Sequence, residues 1–301
     1  MENKIYSSII KRIFLVILMA LCLSVILFCA YFLTGYKVYR DLSYGETEHN
    51  VMDVYLPDDA GGQEECGVVL FIHGGSWSGG DKSEEDIRCR MVARQGYIAA
   101  TLNYTLRTAE NADDYTVFWV LDEIDAALLK IKDFAEEKGI KVSEVAISGY
   151  SAGAHLALLY TYSRGDTAPL EIVFTSSMAG PADISADVWG ADMAARIGTL
   201  LTGEKITAED AYSGAASELL STISPISYVN EGVPPTIIIH GGRDTTVPEA
   251  NAESLIERLS SCSIPHKYVY LENSDHLLLQ NPIKHLSYYR LLIEYCDIYF
   301  N

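Results

Sequence analysis

Five consecutive residues, Gly149-Tyr150-Ser151-Ala152-Gly153, hold the side chain with the clearest capacity for chemistry. A serine hydroxyl becomes a nucleophile when it is held clear of the backbone, beside a base, on a turn too tight for bulky neighbours. Glycine two positions before and two after Ser151 removes the Cβ atoms that such a turn would force together. An apolar run at 142–148 precedes the pentapeptide, and a helical pattern at 152–162 follows it. That setting puts the amide after Ser151 at a helix N-terminus, where it can face negative charge. At ordinary glycine and serine usage the pattern arises by chance in roughly one chain of ten, so the strand–turn–helix setting carries most of the weight.

A second cluster, His73-Gly74-Gly75-Ser76-Trp77, closes an apolar run at 67–73. Two glycines after a buried strand let amides turn toward a ligand, as a developing oxyanion requires. His73 reads as a brace for that loop. Of the seven histidines, His276 is best placed as a base, on the polar loop Glu272-Asn273-Ser274-Asp275-His276 just past a predicted strand. His49 precedes the core strands, and His155 sits one turn into the helix behind Ser151, where packing accounts for it. His240 and His266 bound strands, and His285 falls in the last helix. An imidazole base needs a carboxylate to fix its tautomer and support its charge. Asp244, in Gly242-Arg243-Asp244-Thr245-Thr246-Val247-Pro248, follows the run at 235–240; a turn or helix-cap role is its alternative reading. Asp275 ranks behind it, because adjacent side chains in a loop seldom reach each other's ring nitrogens.

These side chains need a frame, and the hydrophobic pattern supplies one. Strands are predicted at 51–56, 67–73, 97–103, 142–148, 170–176, 235–240 and 266–271. Helices are predicted at 115–138, 152–162, 247–260 and 282–299. In the first of these helices Leu121, Ile124, Ala127, Leu128, Ile131 and Phe134 recur at three- and four-residue spacing. Strands alternating with helices imply a three-layer α/β fold, a mostly parallel sheet with helices on both faces. The alternation breaks at about 182–223, where helical pieces at 187–201 and 207–220 have no strand between them; a small helical cap is expected there.

The order Ser151, Asp244, His276 is that of the α/β-hydrolase superfamily. Together HGGSW, GYSAGAH, GGRDTTVP and SDH resemble an esterase of the hormone-sensitive-lipase and feruloyl-esterase-like branch, over about residues 45–299. Formamidases acting on kynurenine precursors are similar. The resemblance implies Ser151 as nucleophile, His276 as base, Asp244 as acid and backbone amides of Gly74, Gly75 and Ala152 as oxyanion donors. Ser76 stands where many such esterases have a third glycine, which leaves it an alternative to Gly75. The same departure points away from lipases proper, toward small-ester or polysaccharide deacylases. Trp77 and Tyr150 flank the expected pocket and suit stacking on an aromatic or sugar group; core packing explains them equally well. The expected partner is a small-molecule or glycan ester, and the acyl-transfer chemistry asks for no cofactor or metal. Alternatives are a prolyl-oligopeptidase-like peptidase, an arylformamidase, or a hydrolase-like binding module that has lost catalysis.

Ahead of the hydrolase pattern (35–301) lie a short segment, 1–12, and an uncharged apolar stretch, 13–34. As a helix that stretch would be about 33 Å long, against a hydrocarbon core of roughly 30 Å. It reads as an uncleaved transmembrane signal-anchor, because its exit, Phe28-Cys29-Ala30-Tyr31-Phe32, is too bulky for a signal-peptide cleavage site. Lys4, Lys11 and Arg12 before it, against Lys37 and Arg40 after it, favour a single-pass protein of the cell membrane with its catalytic domain outside the cytoplasm. Residues 1–35 carry +2, so the remainder of the net −19 chain carries −21. Such a field repels phosphate backbones, and no nucleic-acid partner is expected. Beyond the span, Cys66, Cys89, Cys262 and Cys296 are open to disulfide pairing or to remaining buried thiols.

Overall fold

A computed structural model of the chain describes residues 2–62, 65–212 and 214–300, without the side chains of 2–5, 7, 8, 10 and 27–33. Among the described residues the strands are β1 (Tyr36–Ser43), β2 (Val51–Pro57), β3 (Val68–Ile72), β4 (Ile98–Leu102), β5 (Glu144–Tyr150), β6 (Glu171–Met178), β7 (Thr236–Gly241) and β8 (His266–Leu271). They form one sheet in the order β1-β2-β4-β3-β5-β6-β7-β8. β2 runs antiparallel to β1 and β4, and every other pairing is parallel.

The helices are α1 (Glu2–Leu33), α2 (Asp86–Ala93), α3 (Val117–Glu137), α4 (Ala152–Arg164), α5 (Ala186–Trp189), α6 (Ala191–Thr202), α7 (Gly214–Thr222), α8 (Ala250–Ser261) and α9 (Pro282–Tyr299). The pleat sorts each inner strand between two cores. Val68, Leu70 and Ile72 of β3 pack with Ile124, Leu128 and Ile131 of α3. Val69 and Phe71 face the other way, with Val92 of α2 and Leu292 of α9. A third cluster joins Ile238 of β7 to Leu158 of α4 and to Leu255 and Leu259 of α8. Both faces of the central strands are therefore buried, which is why those runs read as continuously apolar. The result is the expected three-layer α/β-hydrolase-like architecture.

Differences from the expected elements are local. β1 was not anticipated: it pairs only with β2 at the sheet edge and buries little of its surface. α2 (DIRCRMVA) escaped because charges interrupt its apolar face. The break at 182–223 holds three helices, α5 to α7, between β6 and β7, where two were expected. Cys66, Cys89, Cys262 and Cys296 are all free thiols, so the disulfide option is not taken.

The expected membrane span at 13–34 falls in α1, and its side chains 27–33 lie outside the described residues. Among the described residues no helix is long and apolar enough to cross a membrane. The transmembrane expectation is therefore not supported among the described residues, whose side chains include the stretch 11–26. Along it Ile13, Phe14, Leu15, Val16, Ile17 and Leu18 are all exposed.

Candidate active site

β5 ends in the sheet's interior, and the chain turns there into α4 within one residue. Ser151 sits on that turn with φ 54° and ψ −120°, outside the comfortable regions for an L-residue. The strained turn is held at both ends: the Ser151 amide donates to the Met178 carbonyl at 2.8 Å, and its carbonyl accepts from the His155 amide at 3.0 Å. A Cβ at Gly153 would stand 2.0 Å from the Ile72 carbonyl oxygen, and one at Gly149 would stand 2.2 Å from the Gly153 oxygen. The two glycines thus let α4 lie against β3, which projects the serine from the sheet.

The other two predicted residues arrive from the ends of β7 and β8. His276 Nε2 lies 2.9 Å from Ser151 Oγ. Its Nδ1 lies 2.7 Å from Asp244 Oδ2. A carboxylate only accepts, so Nδ1 carries the proton and Nε2 offers its lone pair to the serine hydroxyl. Asp275 points its Oδ1 to the Leu277 amide at 3.0 Å, a local turn. The loops bearing Asp244 and His276 are tied together, with the Arg243 amide donating to the Ser274 carbonyl at 2.9 Å and the Gly242 amide to the Leu271 carbonyl at 3.0 Å.

Asp244 also accepts from the amides of Thr246 at 2.8 Å and Val247 at 2.9 Å. Burial pushes its carboxyl up, but the His276 bond and these amides outweigh that and hold it below the usual carboxylate value. His240, buried beneath it, donates from Nε2 to the Val247 carbonyl at 3.1 Å and is kept neutral by burial. The 244–247 turn is therefore fixed from both sides.

Around Ser151 the loop after β3 is wound tightly, with positive φ at Gly75 (115°), Ser76 (53°) and Trp77 (58°). No backbone acceptor among the described residues takes the amides of Gly74, Gly75, Ser76 or Ala152. A Cβ on Gly74 would stand 3.3 Å from the Ser151 Cβ and 2.9 Å from the Tyr150 ring, so this loop passes directly beside the serine. A cavity of about 330 Å³ opens over Ser151, walled by Trp77, Trp189, Met193, Ile197 and Leu200. Trp189 belongs to α5 and the last three to α6, so the segment between β6 and β7 forms much of that wall.

Tyr150 differs from its expected place. It is absent from the cavity wall and instead donates its hydroxyl to the His276 carbonyl at 2.9 Å, its ring 5.3 Å from the imidazole. It supports the histidine and leaves the pocket to Trp77. His155, expected to pack, does more than fill space. Trp77 Nε1 donates to its Nδ1 at 3.2 Å, and its Nε2 donates to the Ile223 carbonyl at 2.8 Å. Burial draws its pKa down to about 4, so it stays neutral and can do both. His155 thereby joins the strained loop, α4 and the exit of the α5–α7 segment.

The model of the BD-FAE family matches residues 52–259, a stretch that includes Ser151 and Asp244 and stops short of His276. Esterase LipC of Mycobacterium tuberculosis (strain ATCC 25618 / H37Rv) is 24% identical over 237 residues, covering 74% of this chain and 55% of that protein. A probable isoprenylcysteine alpha-carbonyl methylesterase, ICMEL1 of Arabidopsis thaliana, is 22% identical over 266 residues, covering 84% of this chain and 54% of its own. The chain thus spans about half the length of these curated relatives. Among solved structures, a truncated form of a carbohydrate esterase from gut microbiota shares the fold, with TM-score 0.72 at 17% identity over 87% of this chain and 96% of that one.

Proposed function

The chain belongs to the BD-FAE family, in the esterase branch of the α/β hydrolases, and on that premise we propose that it hydrolyses carboxylic esters through Ser151, His276 and Asp244. The observation that carries this reading is the unbroken run of hydrogen bonds from Ser151 Oγ through His276 to Asp244, at 2.9 and 2.7 Å. His276 Nε2 takes the hydroxyl proton as Ser151 Oγ attacks the ester carbonyl carbon. The carbonyl oxygen becomes an oxyanion and is received by the Ala152 amide together with the amides of Gly74 and Gly75, Ser76 being the alternative to Gly75. When the carbon–oxygen bond to the alcohol breaks, the alcohol leaves with the proton from His276. Water, deprotonated by the same imidazole, then attacks the acyl-enzyme; the acid departs and Ser151 regains its proton. Asp244 stays ionised throughout, orienting the ring and stabilising its charged form.

The substrate in this reading is a small-molecule or glycan ester, with the α5–α7 segment acting as a cap over one side of it. The apolar side chains of α1 and the uncharged run at 13–34 support a further assignment. The chain is held at the cell membrane by a single N-terminal helix, with residues 35–301 on the extracytoplasmic side.

Covalent labelling with a fluorophosphonate tests the catalytic reading, using the full-length protein beside Ser151→Ala. Labelling of the parent alone is expected, followed by turnover on an ester and amide panel. A folded parent that does not label would put the chain among hydrolase-like binding modules, and preference for amides would move it toward the peptidases or formamidases.

A further inference from the structure

Cations are scarce here, 22 Lys and Arg against 41 Asp and Glu. Most that lie near carboxylates are engaged: Arg40, Lys82, Arg88, Arg90, Lys141 and Arg164 all make ion pairs. Arg107, Arg196 and Lys205 make none among the described residues, and they converge on one groove of about 460 Å³. Its carboxylate is Asp192, and its apolar floor includes Leu200 and Ile206. Arg196 and Leu200 also belong to the wall of the cavity over Ser151, so groove and cavity adjoin at these two side chains.

The three cations come from separate segments. Arg196 projects from α6, and Lys205 follows the left-handed Gly203 that ends that helix. Arg107 lies on the loop after β4, where its amide donates to the carbonyl of Trp77, itself part of the cavity wall, at 2.8 Å. Its Nε is buried with no hydrogen-bond partner. Three converging cations facing one carboxylate leave a local excess of positive charge, in a molecule whose overall field repels anions.

We propose that this groove binds an anionic group carried by the substrate, so that the preferred substrate is an ester with a carboxylate remote from the scissile bond. The inference rests on Ser151 being the nucleophile. The apolar connecting portion lies along Trp77, Met193 and Leu200, and the charged end reaches the guanidinium groups, whose planar fork suits a carboxylate. A neutral ester of the same shape uses the cavity and leaves the groove unused.

The test uses the full-length protein in detergent and acetates of ω-hydroxy acids of graded length, each beside its primary amide. The ester is identical within a pair and only the remote charge differs. At the matching length the acid is expected to show a kcat/KM roughly tenfold or more above that of its amide, the scale of one hydrogen bond to a charged group. Lys205→Gln and Arg196→Gln should each reduce that acid-to-amide ratio several-fold, and added salt should erode it. Equal ratios at every length, or variants that slow acid and amide alike, would overturn the anion site. Fluorophosphonate labelling of the same preparations separates the two failures. A labelled enzyme without acid preference loses only the groove, whereas an unlabelled one loses the nucleophile assignment as well.

Discussion

At Asp244 three donors meet one carboxylate: the Thr246 and Val247 amides and Nδ1–H of His276. Asp244→Asn keeps the shape of the side chain but removes the charge that selects the Nδ1–H tautomer. Turnover is expected to fall by about 10³–10⁴, with a melting temperature within a few degrees of the parent; a variant of near-parental kcat would move the acid role elsewhere. His155 makes a different demand. Unfolded, its imidazole takes a proton near pH ~6.5; folded, it stays neutral down to about 4. The unfolded chain therefore binds more protons between those values, and stability falls as pH drops through the window, by about 1.4 kcal/mol per pH unit for one such group. Melting temperatures from pH 7 to 4 should show this slope, and His155→Gln should lessen it. The slope will not vanish, because burial also depresses His73 and His240. Ser151, Asp244 and His276 were legible because each follows a strand on a polar or glycine-rich turn. His155 was not, since its partners Trp77 and Ile223 lie 78 and 68 residues away along the chain. The sequence leaves Tyr150 open between pocket and core for a similar reason: its hydroxyl meets a carbonyl 126 residues on.

Between β3 and α4 the spacing is set by a hydrogen atom. A methyl at position 153 would be 2.0 Å from the Ile72 oxygen and 2.4 Å from that of His73, both backbone atoms that cannot swing aside. Gly153→Ala is therefore expected to cost several kcal/mol, at the upper end of single substitutions (about 4 or more). Its urea midpoint should fall sharply or the protein should fail to accumulate; an unchanged midpoint would mean the helix shifts more freely than this packing allows. Legibility at this scale followed burial. β8 was predicted at its observed bounds, and α9 also, whereas the edge strand β1 and the short, charged α2 carry too little periodic apolar signal to be seen. The helices between β6 and β7 were expected as a group with a gap after 201, which Gly203 opens; the further break falls at Gly190, whose positive φ no apolar period announces.

The whole molecule is electrically lopsided, with +2 on residues 1–35 and −21 on the rest. A domain of that charge is repelled by anionic headgroups, so on the proposed reading α1 alone keeps it at the bilayer. Full-length protein should remain with membranes after alkaline carbonate washing, while a chain beginning at residue 36 should stay in the supernatant. Recovery of the full-length form in the supernatant would sink the anchor. A different kind of division runs through the fold itself. Ser151, Asp244 and His276 stand on the turns after β5, β7 and β8, while Trp189, Met193, Arg196 and Leu200 all come from the single excursion between β6 and β7. On the proposed reading, how the bond is cut and much of what decides which molecule is admitted are thus written on separable stretches of chain, with Trp77 and Arg107 the exceptions. A graft that exchanges only residues 182–223 becomes the natural unit for changing diet without relearning the reaction.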